Sequence, residues 1–183
     1  TTIYSIGYMR GNDEEHQHRF YAFFAIAIFA ALGIAFAGNL FTLFLFYEVL
    51  TLCTYPLVTH SQTKEAKRSG RVYLGILLGT SILFQLTAII ITWYTAGTVE
   101  FTQGGILGDA LTPMATGLLL LLYIYGIGKA AVMPLHKWLP AAMVAPTPVS
   151  ALLHAVAVVK AGLFTLIKVV VYIFGVDHLQ SLM

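Results

Sequence analysis

Apolar runs long enough to cross a lipid bilayer follow one another along this chain, and they leave it few ways to fold. Five spans are read, at about 20–37, 40–59, 72–96, 112–145 and 149–174. At 1.5 Å rise per residue, helices of about 18–27 residues fit a hydrocarbon core about 30 Å thick. The chain is 58% hydrophobic and only 10% charged, where a soluble domain would carry about 25% charged residues. The expected fold is therefore all-α: a polytopic integral membrane protein, with residues 1–183 forming a single transmembrane domain. The single cysteine, Cys53, excludes an internal disulfide. No basic n-region with a cleavage site opens the chain, so no signal peptide is expected, and both ends read as cut from a longer protein.

Basic residues set an expected orientation. The 60–71 loop holds Lys64, Lys67, Arg68 and Arg71 against Glu65, whereas the 97–111 connection holds Glu100 and Asp109 and no basic residue. Positive-inside bias places 60–71 and the N-terminal segment, with Arg10 and Arg19, in the cytoplasm, and 97–111 outside.

Three charges interrupt the spans: Glu48, Lys129 and Lys160. A charged side chain at the centre of a spanning helix costs about 2.5–3.5 kcal/mol on insertion scales. Such residues mark ion or proton paths by default. The fourth span is the irregular one, because Pro134, Pro140, Pro146 and Pro148 follow Lys129 closely. Each proline removes a backbone donor and disfavours helix for the residue before it. Backbone freed in lipid is tolerated only when buried in protein or lining a cavity. The span is thus expected to be discontinuous, broken near 130–136 just after Lys129, which would hold that lysine near mid-membrane. The bland alternative is that the prolines end the helix at the cytoplasmic surface and Lys129 snorkels to the headgroups.

The stretch GKAAVMPLHKWLPAAMVAPTPVSALLHAVAVVKAG (128–162), with the upstream YEVLTLCTYPLVTHSQTKEAKRSGRVYLG (47–75), resembles the proton-conducting antiporter-like subunits. That family contains the large subunits of Mrp-type Na+/H+ antiporters and the membrane-arm pumps of respiratory complex I. The likeness extends over roughly residues 8–175. It implies roles for four positions: Glu48 as the membrane glutamate, Lys129 as the lysine of the broken helix, His154 as the histidine of the next helix, and Lys160 as a lysine found in Mrp-type subunits. In the family the glutamate and lysine form a charge pair whose separation is thought to gate proton movement. The family fold has about fourteen helices with two inverted repeats, so this chain reads as the first repeat of a longer two-repeat subunit.

A Glu48–Lys129 pair also makes sense without the family. Burial disfavours the charged form of each group, and an opposite charge nearby restores it. A lysine moving between those environments could take a proton on one side and release it on the other, with bistable geometry setting direction. On the last helix His154 and Lys160 lie about 9 Å apart along the axis, and Lys160 and Lys168 about 12 Å. Water could link groups at these spacings, although His154 could equally be a packing residue and Lys168 could snorkel. His136 and Lys137 would line a proton entry or face water. His16 and His18 beside Glu14 and Glu15 lack the second ligand cluster a metal site needs.

Three functions remain open on sequence grounds. The chain could be the proton-translocating part of a multi-subunit monovalent cation/proton (Na+/H+) antiporter, a proton-pumping subunit of a redox complex such as a complex I-like assembly or membrane hydrogenase, or a non-conducting half-subunit. It reads as a transporter rather than an enzyme, and as a translocase only within a redox-driven complex. Its expected partners are lipid, other subunits of the same complex, protons and Na+, with no nucleic acid and no cofactor or metal. Intramembrane oxygens are few, which places any Na+ site elsewhere. The expected location is a prokaryotic inner membrane.

Overall fold

A computed structural model of the chain describes residues 2–181, apart from the side chains of Asp109 and Ser181. It is all-helical, and four helices are long and apolar enough to cross a membrane. A surface helix, α1 (Thr2–Gly11), precedes them, where the sequence reads as a plain polar segment. The first crossing is α2 (Gln17–Phe36) and the second α3 (Leu40–Val58). They form an antiparallel hairpin whose turn is set by Asn39, whose side chain accepts the Thr42 N–H at 2.7 Å and caps α3. Gly33 permits the close approach of this pair, because a Cβ there would overlap the Phe46 ring.

The third crossing, α4, spans Lys64–Ala96. It starts well before the apolar run at Val72, since Thr63 caps it by accepting the Ala66 N–H and Glu65 sits in its first turn. Much of the basic loop is therefore the opening of a helix. Within α4, residues Ser81–Leu86 form a π-helical turn.

The fourth run is a shorter helix, α5 (Pro113–Gly126), followed by an irregular segment. Tight turns occupy Gly128–Ala130 and Leu135–Lys137, and a one-turn helix, α6, covers Trp138–Ala141. The sequence places the interruption after Lys129; in the structure α5 stops at Gly126, so Lys129 lies inside it. Two glycines seat the end of α5 closely against α4. A Cβ at Gly126 would overlap the backbone of Gln85, and one at Gly128 the Thr80 hydroxyl. The helix ends where Ile127 leaves helical geometry, φ −82° and ψ 59°, seven residues before Pro134.

The last crossing, α7 (Thr147–Phe174), contains π-helical turns at Leu152–Val156 and Val170–Phe174. A short helix, α8 (Val176–Ser181), follows. The Gly-rich connection 97–111 ties the crossings together at one end. Leu40 N–H bonds the Val99 carbonyl at 2.9 Å, and Ile106 N–H bonds the Ile173 carbonyl at 2.9 Å. Lys168 reaches the C-terminus of α2 and donates to the carbonyls of Ala37 at 2.7 Å and Ala35 at 3.3 Å. A cation on those exposed carbonyls is a favourable helix cap.

Candidate functional site

Lys129 is fully buried, a rare state for lysine unless its ammonium is paired. The break supplies the burial. Trp138 Nε1–H donates to the Gly128 carbonyl at 2.9 Å and pins the turn. On the opposite side Gly162 of α7 lies so close that a Cβ would overlap the backbone of Lys129 and Ala130. Ala131 then takes a left-handed conformation, φ 55°, which an alanine adopts only when surrounding packing imposes it.

α3 provides the hydrogen-bond partners of the ammonium. Lys129 Nζ donates to the Tyr47 carbonyl at 2.8 Å and to the Thr51 hydroxyl at 2.5 Å. It also sits 3.2 Å from the centroid of the Tyr47 ring, within range of a cation–π attraction. The Lys129 backbone N–H, freed by the break, donates to the Tyr47 phenol oxygen at 3.1 Å. One tyrosine thus holds both ends of the lysine. Tyr47 and Thr51 are i and i+4 on one helix, so they share a face.

Glu48 immediately follows Tyr47 and is half-buried, and both its carboxylate oxygens are enclosed without a hydrogen-bond partner. It makes no ion pair with Lys129: among the described residues the one ion pair within 4.0 Å is His60–Glu14. The two charges are neighbours through Tyr47 rather than in contact. His154 lies in the π-helical turn of α7, half-buried, with Nε2 enclosed and unpartnered. Lys160 points away from the bundle and is exposed along its flank. Lys168 is occupied in capping α2. His136 is half-buried with Nδ1 unpartnered, while Lys137 is exposed.

Polar residues that sequence reasoning passed over complete the centre. Thr51 and Thr54 read as neutral helix positions, because threonine hydroxyls in helices commonly bond their own backbone. Both do so here, yet Thr51 also accepts from Lys129, and Thr54 shares a 2.6 Å hydrogen bond with the buried Tyr73 phenol. A matching hydroxyl pair, Thr92 and Tyr123 at 2.7 Å, joins α4 to α5. The available signal was spacing: Tyr47, Thr51 and Thr54 recur at i, i+4 and i+7 around Glu48.

A second polar cluster lies where α1 and α2 meet the 59–63 loop. His60 is buried there, 3.8 Å from Glu14, and Arg19 donates to its carbonyl at 3.4 Å. Asp13, His16 and Gln62 beside it all have positive φ. Burial pulls the His60 imidazole below its ordinary value, opposed by Glu14 and aided by Arg19 and His16. A base held neutral in the fold favours that fold above its ordinary value, and the advantage shrinks as acidity charges it in the opened state. Backbone hydrogen exchange at residues 12–18 and 59–62 is therefore expected to quicken from about pH 7.5 to about pH 5.5, after correction for intrinsic rates, and His60→Asn should flatten the trend. An unchanged trend in the variant would show that His60 is not its source.

Comparison with known proteins agrees with this architecture. Residues 37–182 match the family model described as "NADH:quinone oxidoreductase/Mrp antiporter, TM". A probable K(+)/H(+) antiporter subunit of Rhizobium meliloti (strain 1021) is 33% identical over 168 residues, covering 91% of this chain and 17% of that protein. The chloroplastic NAD(P)H-quinone oxidoreductase subunit 5 of Lemna minor is 29% identical over 185 residues, covering 98% of this chain and 25% of that one. Among solved structures, a chain of the Mrp complex from Dietzia sp. DQ12-45-1b superposes with TM-score 0.77 at 30% identity, covering 90% of this chain and 18% of that chain. The chain therefore spans a quarter or less of the length of these relatives.

Proposed function

This chain belongs to the NADH:quinone oxidoreductase/Mrp antiporter transmembrane family, and on that premise we propose that it is the proton-translocating part of a multi-subunit monovalent cation/proton antiporter. The observation that carries the reading is Lys129, buried in a broken helix and held by a hydroxyl and a carbonyl instead of a carboxylate. Two neutral acceptors hold a lysine less firmly than a carboxylate would, because a charge-assisted bond between two ions is the stronger kind. Glu48 supplies that alternative on the next residue of α3. A small relative shift of α3 and the break would trade the Thr51 contact for Glu48, stabilising the charged lysine; the reverse shift would favour release of its proton. His154, with an unpartnered ring nitrogen two turns into α7, is the candidate onward acceptor. Lys160 serves beyond this chain, since its ammonium faces outward. The basic end lies in the cytoplasm on this reading, and the membrane is a prokaryotic inner membrane.

A redox-driven pump is the second reading, supported by the likeness to the quinone oxidoreductase subunit of Lemna minor. Everted vesicles holding the complete assembly separate the two. Under the antiport reading, adding Na+ or K+ collapses an imposed pH gradient without any electron donor. Proton movement that requires a donor and ignores the cation would replace antiport with redox pumping.

The Thr51 contact has its own test. Thr51→Val keeps the shape and removes the hydroxyl acceptor. Since a hydrogen bond to a charged group is worth about 1.5–3 kcal/mol, flux is expected to fall on the order of tenfold. Flux measured at equal amounts of assembled protein checks this, and an unchanged rate would remove Thr51 from the path.

A further inference from the structure

The side chain of Gln85 is buried completely, and neither its amide oxygen nor its amide nitrogen has a hydrogen-bond partner. Its situation differs from that of Lys160, which another subunit could cover. Gln85 is enclosed by this chain's own helices. An amide offers two donors and an acceptor, and leaving all of them unmet in a bundle core is costly. Buried groups of this kind are met by ordered water.

Its position gives that water a use. Gln85 lies in the π-helical turn of α4, against Gly126 at the last residue of α5. One turn back along α4, Thr80 packs on Gly128, the residue before Lys129. An α-helix would set residue 85 about 140° round from residue 80; the wider i→i+5 turn returns it towards the Thr80 face. Seven residues further on, about 10 Å along the axis and back on the same side, Thr92 meets Tyr123. Thr80, Gln85 and Thr92 are all buried, so they form a polar line inside an otherwise apolar crossing, leading from the break towards the Gly-rich connection. Thr92 donates to the Ala88 carbonyl at 2.8 Å, so Tyr123 is the donor of the pair, and a relay needs both hydroxyls to rotate. The buried Ser81 opens the same turn and bonds the Leu78 carbonyl at 3.2 Å, and between it and Thr92 Gln85 is the one buried polar side chain among the described residues of α4.

We propose that Gln85 positions buried water between Lys129 and the Thr92–Tyr123 pair, completing a proton leg from the break to the side of the Gly-rich connection. The amide neither takes nor gives a proton. It orients a water that accepts one on its oxygen and releases another from its remaining O–H. The inference rests on the reading of Lys129 as the proton carrier.

The test uses the complete subunit in its assembly. A map that resolves ordered water is expected to place a water oxygen within about 3.2 Å of the Gln85 amide. Gln85→Leu, close in size and apolar, is expected to lose proton flux about tenfold or more at unchanged assembly. Gln85→Glu should keep flux and add a pH dependence absent from the wild type, because a carboxyl also binds water but titrates. A protein group bonded to the amide in the map, or wild-type flux in Gln85→Leu, overturns the proposal. Should Gln85→Leu fail to assemble, the wild-type map decides. Lys129→Ala run alongside separates the failures: intact flux there sinks the parent reading, whereas lost flux there with intact flux in Gln85→Leu sinks this one alone.

Discussion

Lys129→Ala in the complete subunit is expected to cut cation-driven proton flux on the order of a hundredfold or more, the scale at which removal of a positioned proton-transfer group is felt. Among the described residues Lys129 is the one Lys, Arg, Asp or Glu that is fully buried, and Tyr47 and Thr51 are committed to its ammonium. Alanine would also leave a void beside Tyr47, so a second replacement is needed. Lys129→Met fills nearly the same space without a charge and should lose flux equally while assembling as the wild type does. Lys129→Arg keeps the charge, but its planar fork does not match one hydroxyl and one carbonyl, and partial flux is expected. Fluorescent-amine quenching in everted vesicles, normalised to assembled protein, reads all three. Wild-type flux in Lys129→Met would end the lysine mechanism.

The second large effect is mechanical. Gly162→Ala adds one carbon where the backbone of Lys129 and Ala130 already lies. Overpacking a closed core costs about 1–3 kcal/mol, and here the obstructing atoms are main chain, which cannot rotate aside. The break must move away from α7, taking Lys129 off Tyr47 and Thr51. A marked fall in the thermal midpoint of the assembled protein is expected, with flux reduced in the molecules that remain. Gly75→Ala is the control: its Cβ would enter open space, and alanine is the better helix former. Equal behaviour of the two variants would show that α7 yields easily at the break.

Hydropathy was enough to read an all-α membrane bundle, because apolar length is a property of single segments. The helix ends were less legible. Thr63 extends α4 back into the basic stretch through a cap, and α5 ends at Ile127, which leaves helical geometry seven residues before Pro134. The break therefore begins earlier than the prolines alone indicate. Charge singled out Glu48, Lys129 and Lys160, and the family resemblance added His154, but neither reports facing. The structure turns Lys129 inward and Lys160 outward, and sets Glu48 beside the lysine's acceptors without contact. Tyr47 and Thr51 escaped notice for the opposite reason: neutral side chains in an apolar run signal nothing until a partner from a distant segment arrives.

The outward-facing Lys160 bears on how the protein enters the bilayer at all. It sits near the middle of Thr147–Phe174, about 20 Å from either end of the helix, beyond the reach of a snorkelling lysine. A charge there opposes partition of the helix from the translocon into lipid. That cost, about 2.5–3.5 kcal/mol, is set against 28 residues of mean hydropathy 2.1, so the helix can enter lipid, and an acceptor on a neighbouring segment or subunit would relieve it. The residue that marks the flank of the bundle is thus also the costliest point of this crossing to integrate.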